Sequence, residues 1–409
     1  MPRSPKRTPP PRKPSKRKPS ALAKRPTATK ALVAKTSKKA VVKPVAETPA
    51  VAKAVAKKSV LPEKPAAVGD FASAMTNVLT RGAPWPGAVA VSGGGDSLAL
   101  MFLLADWARV ASRPPPVVLT VDHGLDANSE HVARDVLRRA KAAGLKSELL
   151  VWKDKKPKAD IEAAAREARY RLIGAWCHAH EIGGVYAGHT LEDQAETFLL
   201  RLGRGSGLDG LSAMRPVALY PVPGFDDLRV VRPLLGIGRS ELRAFLKARK
   251  ETWVDDPMNV DPRFARVRLR EAWLMLEELG LSSSRIAGAA RHLARAREAL
   301  DHATENLLAR ASRIVDGEAM LDPSRLAAAP REIGLRAFAW LLSRVSGEPY
   351  RPRFERLERL FDAICRGELV AARTLHGCLI APSGKGEAAF GLRTIVIAPE
   401  SSRKPAASG

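Results

Sequence analysis

The chain has 409 residues, and its 68 Lys and Arg against 43 Asp and Glu give a net charge of +25. The excess is uneven: residues 1–65 carry 19 basic side chains and two acids (Glu47 and Glu63), a net of +17, and the remaining 344 residues a net of +8. Three scattered cysteines (Cys177, Cys365, Cys378), in no CxxC pair, exclude a disulfide scaffold, a zinc ribbon and a cysteine-held iron–sulfur cluster, and no run approaches the roughly 18 apolar residues of a membrane span.

The first segment, residues 1–68, is expected to be a disordered Lys/Pro/Ala-rich tail. It has no aromatic residue before Phe71 and 12 of the 31 prolines, too little apolar surface to offset the entropy of ordering its backbone. Its charge reads either as an arm for phosphate backbones or as a solvated linker. A transit peptide is disfavoured, because such segments are Arg-rich and amphipathic. The cysteine usage fits a reducing compartment, so a cytoplasmic location is expected.

From Val68 onward the pattern is globular. Gly87–Val91 reads as a strand, Ser92–Ser97 (SGGGDS) as a glycine loop, and Leu98–Val110 as a helix. The alternation continues through strand-like runs at Val117–Val121, Ser147–Trp152, Gly184–Ala187 and Val230–Leu235. Helical patterns follow them at Glu130–Ala143, Ile161–His180, Glu192–Leu202 and Arg239–Lys250. Strands alternating with helices of this length predict an α/β fold, a doubly wound parallel sheet of Rossmann-like type whose ligands bind at the carboxyl ends of the strands. Beyond Arg266 the character becomes helical, over Arg266–Leu279, Ser284–Ala311, Arg331–Ser346 and Arg353–Arg366. A small hairpin is expected from Arg373–Ile380 and Leu392–Ala398, which makes the C-terminal region α+β.

A glycine loop between strand and helix presents converging N–H groups and the positive end of a helix, a cradle for anions. Gly93, Gly94 and Gly95 let that backbone approach phosphate, and Ser92 and Ser97 add hydroxyls. Asp96 beside phosphates is repulsive unless a Mg²⁺ ion bridges them, which makes it the candidate metal residue. Neither GxxxxGK[ST] nor GxGxxG occurs. Asp122, at the end of the second strand, either meets a nucleotide or caps a turn. In His189–Thr197 (HTLEDQAET), Asp193 and Glu196 stand three apart on a helix and face one site with two negative charges, suited to an ammonium group or a metal; helix-dipole complementarity explains the same acids without function.

The SGGGDS string resembles the SGGxDS pyrophosphate loop of the N-type ATP pyrophosphatases, the PP-loop superfamily. With it, DHGL at 122–125, Ala164–Tyr170 (AAREARY), HTLEDQAET, Leu202–Leu211 (LGRGSGLDGL), RPLL at 232–235 and Trp253–Asn259 (WVDDPMN) together resemble the tRNA(Ile)-lysidine synthase family over about residues 85–280. The resemblance implies an ATP-dependent ligase that adenylylates the wobble cytidine of a CAU anticodon in tRNA(Ile), then lets the ε-amine of free L-lysine displace AMP. It implies ATP at Ser92–Ser97 with Asp122, Mg²⁺ at Asp96, lysine at Asp193 and Glu196, and phosphate or carboxylate at Arg169 or Arg166. One of Asp193 and Glu196 would take the lysine proton; His189 is a weaker candidate. On this reading residues 69–280 form the catalytic domain and 281–409 a tRNA-binding region, with Arg285, Arg291, Arg295 and Arg297 as candidate contacts on a long helix.

Two departures from the family stand out. Glu192 replaces a usual Asp, and Phe264 and Val267 stand where Tyr and Asn are usual, beside Arg266, Arg268 and Arg270, which suit either phosphate contact or a solvated helix start. The alternatives are another PP-loop enzyme such as a thiolase, which paired cysteines near the loop would signal, and a non-catalytic nucleotide-sensing RNA-binding protein. Oligomeric state is left open, a homodimer being among the states admitted.

Overall fold

The computed structural model describes residues 66–125, 128–157, 160–254, 265–348, 350, 352–383 and 394–400. The first helix takes in Ala66–Val68, the last three residues of the expected tail; the rest of that tail lies outside the described residues, as do Asp255–Asn259 and Phe264.

In chain order the first body contains α1 (Ala66–Thr80), β1 (Ala88–Ala90), α2 (Gly95–Val110), β2 (Val117–Asp122), α3 (Ser129–Ala142), β3 (Ser147–Val151), α4 (Ile161–Ala179) and β4 (Gly184–Tyr186). It continues with α5 (Leu191–Leu202), α6 (Leu208–Leu211), β5 (Val217–Leu219), β6 (Arg229–Val231) and α7 (Arg239–Ala248). Its sheet runs β3-β2-β1-β4-β6-β5. Every pairing is parallel except β5 on β6, where Val217 faces Val231 and Leu219 faces Arg229. The expected parallel sheet therefore ends in one antiparallel edge strand, three residues long and half exposed, too short to leave a period-2 signal.

Side chains alternate across this sheet as pleating demands. Val89, Val118, Tyr186 and Val231 enter a core with α1, α2, α3 and α7, where Phe71, Leu100, Phe102, Val136 and Phe245 are buried. Ala88, Leu119, Val185 and Val230 point to the other face, onto Ile173 and Cys177 of α4 and onto Tyr220. The chain winds outward from β1 to β3 and then returns to β4 on the other side of β1, so a topological switch point lies between β1 and β4. The SGGGDS loop leaves β1 there and the HTLEDQAET segment leaves β4, which is how segments about 90 residues apart come to share a site.

The second body contains α8 (Ala265–Glu271), α9 (Trp273–Glu278), α10 (Ser283–Ala311), β7 (Ser312–Val315), β8 (Glu318–Leu321), α11 (Pro323–Ala328), α12 (Arg331–Ser346), α13 (Phe354–Cys365), β9 (Arg373–Leu375), β10 (Cys378–Pro382) and β11 (Ile395–Pro399). The expected run Arg266–Leu279 breaks at Ala272 into α8 and α9. The expected strand Arg373–Ile380 is two strands, reversed at His376 and Gly377, which both have positive φ (56° and 69°) as a two-residue hairpin turn requires. A hairpin not anticipated, β7–β8, turns through Asp316 and Gly317 in the same way. All five strands join one antiparallel sheet, β7-β8-β11-β10-β9. Its inner face (Leu321, Ile380, Ile397) packs on Phe338, Leu341 and Leu342 of α12 and Phe361 of α13.

Helix α10, 29 residues and therefore about 43 Å long, spans both bodies. It packs against α5 and α6 on one stretch and against α11 and α12 on another. Beside it Arg336 of α12, whose side chain is 8% exposed, donates to both carboxylate oxygens of Asp209 in α6 (3.1 and 2.9 Å) and to Asp301 of α10 (3.3 Å).

Candidate active site

The loop is built by its own backbone. The Val91 N–H continues the β1 ladder to the Leu119 carbonyl (2.9 Å), and the chain then turns through Gly93 at φ +86°. A Cβ at Gly93 would also stand 2.5 Å from Val132 Cγ1, so both conformation and space require glycine. The Ser97 hydroxyl ties the turn together: it donates to the Gly94 carbonyl (2.9 Å) and accepts from the Ser92 N–H (3.1 Å). Gly95, Asp96 and Ser97 form the first turn of α2, whose amides have no carbonyl of their own helix to bond.

Three carboxylates from two helices converge on one cation. Arg239, in the first turn of α7, places Nη2 2.6 Å from Asp193 Oδ1, Nη1 3.2 Å from Glu196 Oε1 and Nε 3.4 Å from Asp96 Oδ2. The Arg239 side chain is only 25% exposed, and that of Glu196 only 2%. Glu196 also accepts from Arg270 Nε (2.8 Å), and Arg266 Nε lies 3.9 Å away, so these two arginines of α8 turn toward the site. Asp193 Oδ2 accepts from the Thr190 N–H (2.8 Å) and hydroxyl (3.1 Å), starting α5 with its own cap. Glu192 accepts the Arg239 backbone N–H with both oxygens (3.0 Å each), so the residue that departs from the family pattern anchors the start of α7 and aims Arg239.

Electrostatics separate the carboxylates. Burial pushes Asp96 above the usual carboxylate range despite Arg239 and Arg243. Burial also opposes ionisation of Asp193, but Arg239, the Thr190 N–H, His189 and Arg266 outweigh it and hold its carboxyl below that range. Asp96 Oδ1 is buried and accepts no hydrogen bond among the described residues. His189 is lowered to about 4 by burial and by Arg232, so its imidazole is neutral near pH 7.

The remaining predicted residues divide. Asp122 accepts from the Gly124 N–H (2.9 Å) and the Ser129 hydroxyl (2.6 Å); burial opposes its charge, but these bonds and the nearby His123 and Lys156 hold it below the usual range. It is thus a turn cap at the carboxyl end of β2. Arg169 donates to His123 Nε2 (3.3 and 2.9 Å), next to Asp122, and the hydrogen bonds to Asp193 and Glu196 come from other arginines. Arg297, expected as an exposed contact, is 4% exposed, whereas Arg285, Arg291 and Arg295 are exposed. The cysteines are free; burial pushes the Cys177 thiol up to about 12 and the Cys378 thiol up to about 11. No helix among the described residues is long and apolar enough to cross a membrane.

Sequence reasoning missed Arg239 and Arg243. Neither belongs to a local motif that announces a charge partner about 45 to 145 residues away; α7 brings them in by packing on α2. The one usable signal was Arg239 opening a helix just after RPLL. Together the geometry sets a glycine loop and the first turn of α2 beside three carboxylates that pair with Arg239, Arg243, Arg266 and Arg270.

Residues 71–277 match the PP-loop domain family (ATP_bind_3). The tRNA(Ile)-lysidine synthase of Ruegeria pomeroyi is 40% identical over 299 residues, 73% of this chain and 69% of the relative. That of Methylobacterium nodulans is 38% identical over 323 residues, 77% and 93% of the two chains, and that of a Bradyrhizobium species 39% identical over 307 residues, 71% and 84%. The loop, the acidic helix and these relatives agree, and the chain belongs to the tRNA(Ile)-lysidine synthase family, built on a PP-loop ATP-utilising domain.

Proposed function

We propose that the protein uses ATP to adenylylate the wobble cytidine of tRNA(Ile) bearing a CAU anticodon, releasing pyrophosphate, and that the ε-amine of free L-lysine then displaces AMP to give lysidine. The reaction forms a carbon–nitrogen bond and makes the protein a ligase. The observation that carries this reading is the convergence of Asp96, Asp193 and Glu196 on half-buried Arg239 beside the glycine loop, with Arg243 near Asp96 and Arg270 and Arg266 near Glu196. Asp193 and Glu196, two buried carboxylates on one helix, are suited to an ammonium group that would take a place among the arginines now paired with them.

Residues 69–280 would carry the chemistry. Ser92–Ser97 would hold the phosphates of ATP through backbone N–H groups and the Ser92 and Ser97 hydroxyls. The orphaned Asp96 Oδ1 fits a divalent cation, and Mg²⁺ there would offset charge that phosphates and carboxylate otherwise place side by side. Asp193 and Glu196 would orient lysine. The amine must lose a proton before it attacks, because free lysine is protonated near neutral pH. Asp193 is committed to its cap, and Glu196, one turn further along the same helix, is the carboxylate we assign as the proton acceptor. Arg169 and Asp122, joined through His123, would border the nucleotide at the end of β2. Residues 281–409 would grasp the body of the tRNA, with Arg285, Arg291 and Arg295 facing outward from α10 toward phosphates. A cytoplasmic location agrees with this substrate.

The test is incorporation of labelled lysine into two tRNA transcripts that differ only at the wobble base of a CAU anticodon, with ATP and Mg²⁺ supplied. Lysine-dependent labelling of the CAU transcript alone is expected. Pyrophosphate release with another acceptor and no lysine label would keep the ATP site and remove the lysidine assignment.

A further inference from the structure

A second arginine of α7 lies over the glycine loop. A Cβ at Gly95 would fall 1.4 Å from Arg243 Nη1 and 2.5 Å from its Cζ, so the guanidinium rests on the first turn of α2 at the point where the missing side chain leaves room. Its Nη1 is buried and donates no hydrogen bond among the described residues. The nearest anion among the described residues, Asp96 Oδ1, stands 3.4 Å away and itself accepts no hydrogen bond among them. The guanidinium is held from its other side by Trp253, with Cζ 4.6 Å from the ring centroid, and that segment is pinned to the loop by the Val254 N–H on the Gly93 carbonyl (3.2 Å).

The two oxygens of Asp96 thus divide the site. Oδ2 faces Arg239 and the acidic pocket of α5, while Oδ1 faces Arg243 and the glycine loop. A guanidinium placed by stacking, with an unfilled donor above a helix N-terminus, has the shape of a phosphate contact. A bare counter-ion for Asp96 would be expected to close the hydrogen bond it leaves open.

We propose that Arg243 is a phosphate-binding residue of this loop and contacts the pyrophosphate half of ATP, the half that lies away from the amine pocket. This rests on the reading of Ser92–Ser97 as the ATP site. The residue acts on the leaving pyrophosphate and on ATP affinity, and leaves recognition of AMP to other groups.

The experiment is calorimetric titration of the full chain with inorganic pyrophosphate, AMP and ATP, each alone, Mg²⁺ present throughout. Wild type is compared with Arg243→Met, which keeps the packing on Trp253, and Arg243→Lys, which keeps charge without the planar fork. Pyrophosphate binding should weaken about 10- to 100-fold in R243M, the loss of charge-assisted hydrogen bonds, and recover in part in R243K. AMP binding should stay within about twofold in both. Unchanged pyrophosphate affinity in R243M, or an equal loss for AMP, overturns the proposal. If R243M does not fold, R243K is read alone: weaker pyrophosphate with unchanged AMP supports the contact, and no change in either overturns it. A wild-type chain that binds neither pyrophosphate nor ATP overturns the ATP-site reading itself, a result distinguishable from failure at Arg243.

Discussion

The parallel sheet and the C-terminal antiparallel sheet solve the same burial problem and leave different residues inside. In the C-terminal body the packed face is aliphatic and aromatic, and Phe338, Leu341, Leu342, Ile380 and Ile397 are fully buried. At the carboxyl end of the parallel sheet the buried set includes Thr190, which caps α5, and Asp193, Gln194, Glu196 and Thr197 on that helix. Buried charge costs stability unless it is paired, so a helix that keeps two carboxylates inside, matched by arginines from α7 and α8, is shaped by chemistry, whereas the C-terminal core is shaped by packing. Replacing buried groups in the first should change rates more than stability, and the reverse should hold in the second.

The largest expected effect is that of Asp96→Asn. Pyrophosphate release in the presence of tRNA should fall by about 10²- to 10³-fold, the order seen when a charge-stabilising group leaves a preorganised site. Because burial already disfavours the Asp96 charge, the melting temperature should hold or rise; a clear drop would break the contrast. Phe338→Ala should cost about 3–5 kcal/mol in a denaturant titration, with turnover per folded molecule unchanged. Glu196→Gln should lower lysine transfer about 10²-fold or more while adenylylation continues, the scale of a lost acid–base group; equal loss of both steps would refute the separate roles. Arg336→Ala probes the boundary between the bodies. Leaving Asp209 and Asp301 without their shared partner should cost about 1–3 kcal/mol, with a smaller loss of rate than either active-site change.

A further contrast lies in acid stability. His189 has a folded pKa of about 4 against an ordinary value of 6.5, so the unfolded chain takes up its proton first as pH falls. The stability its neutral form contributes is present above pH 6.5 and is lost between 6.5 and 4. His189→Gln should therefore flatten that part of the pH–stability curve, measured by thermal melts across the window.

Much of the site was legible from residues alone, because local chemistry marks it. The three glycines and Asp96 sit between a strand and a helix, and the spacing of Asp193 and Glu196 places both acids on one face of a helix that leaves the neighbouring strand. What stayed hidden depended on tertiary packing. Arg239 and Arg243 reach the loop only because α7 lies on α2, and Arg270 reaches Glu196 only because α8 lies on α5. The contact of Arg169 with His123 was also hidden, since a helix pattern gives the face of a side chain but not its partner. The β7–β8 hairpin carried an Asp316–Gly317 turn signal, but it follows directly on a 29-residue helix and its strands are four residues each.

Gly188 adds one more consequence. A Cβ there would stand 3.0 Å from the carbonyl carbon and oxygen of Asp96 and from the Ser97 nitrogen, so the segment entering α5 meets the first turn of α2 main chain to main chain. For anyone evolving the protein toward a different substrate, this contact removes slack: widening one half of the candidate site by shifting the backbone drags the other half with it. A saturation library at position 188 should return the parental residue, and useful diversity should instead accumulate in side chains that reach across the seam from α7 and α8.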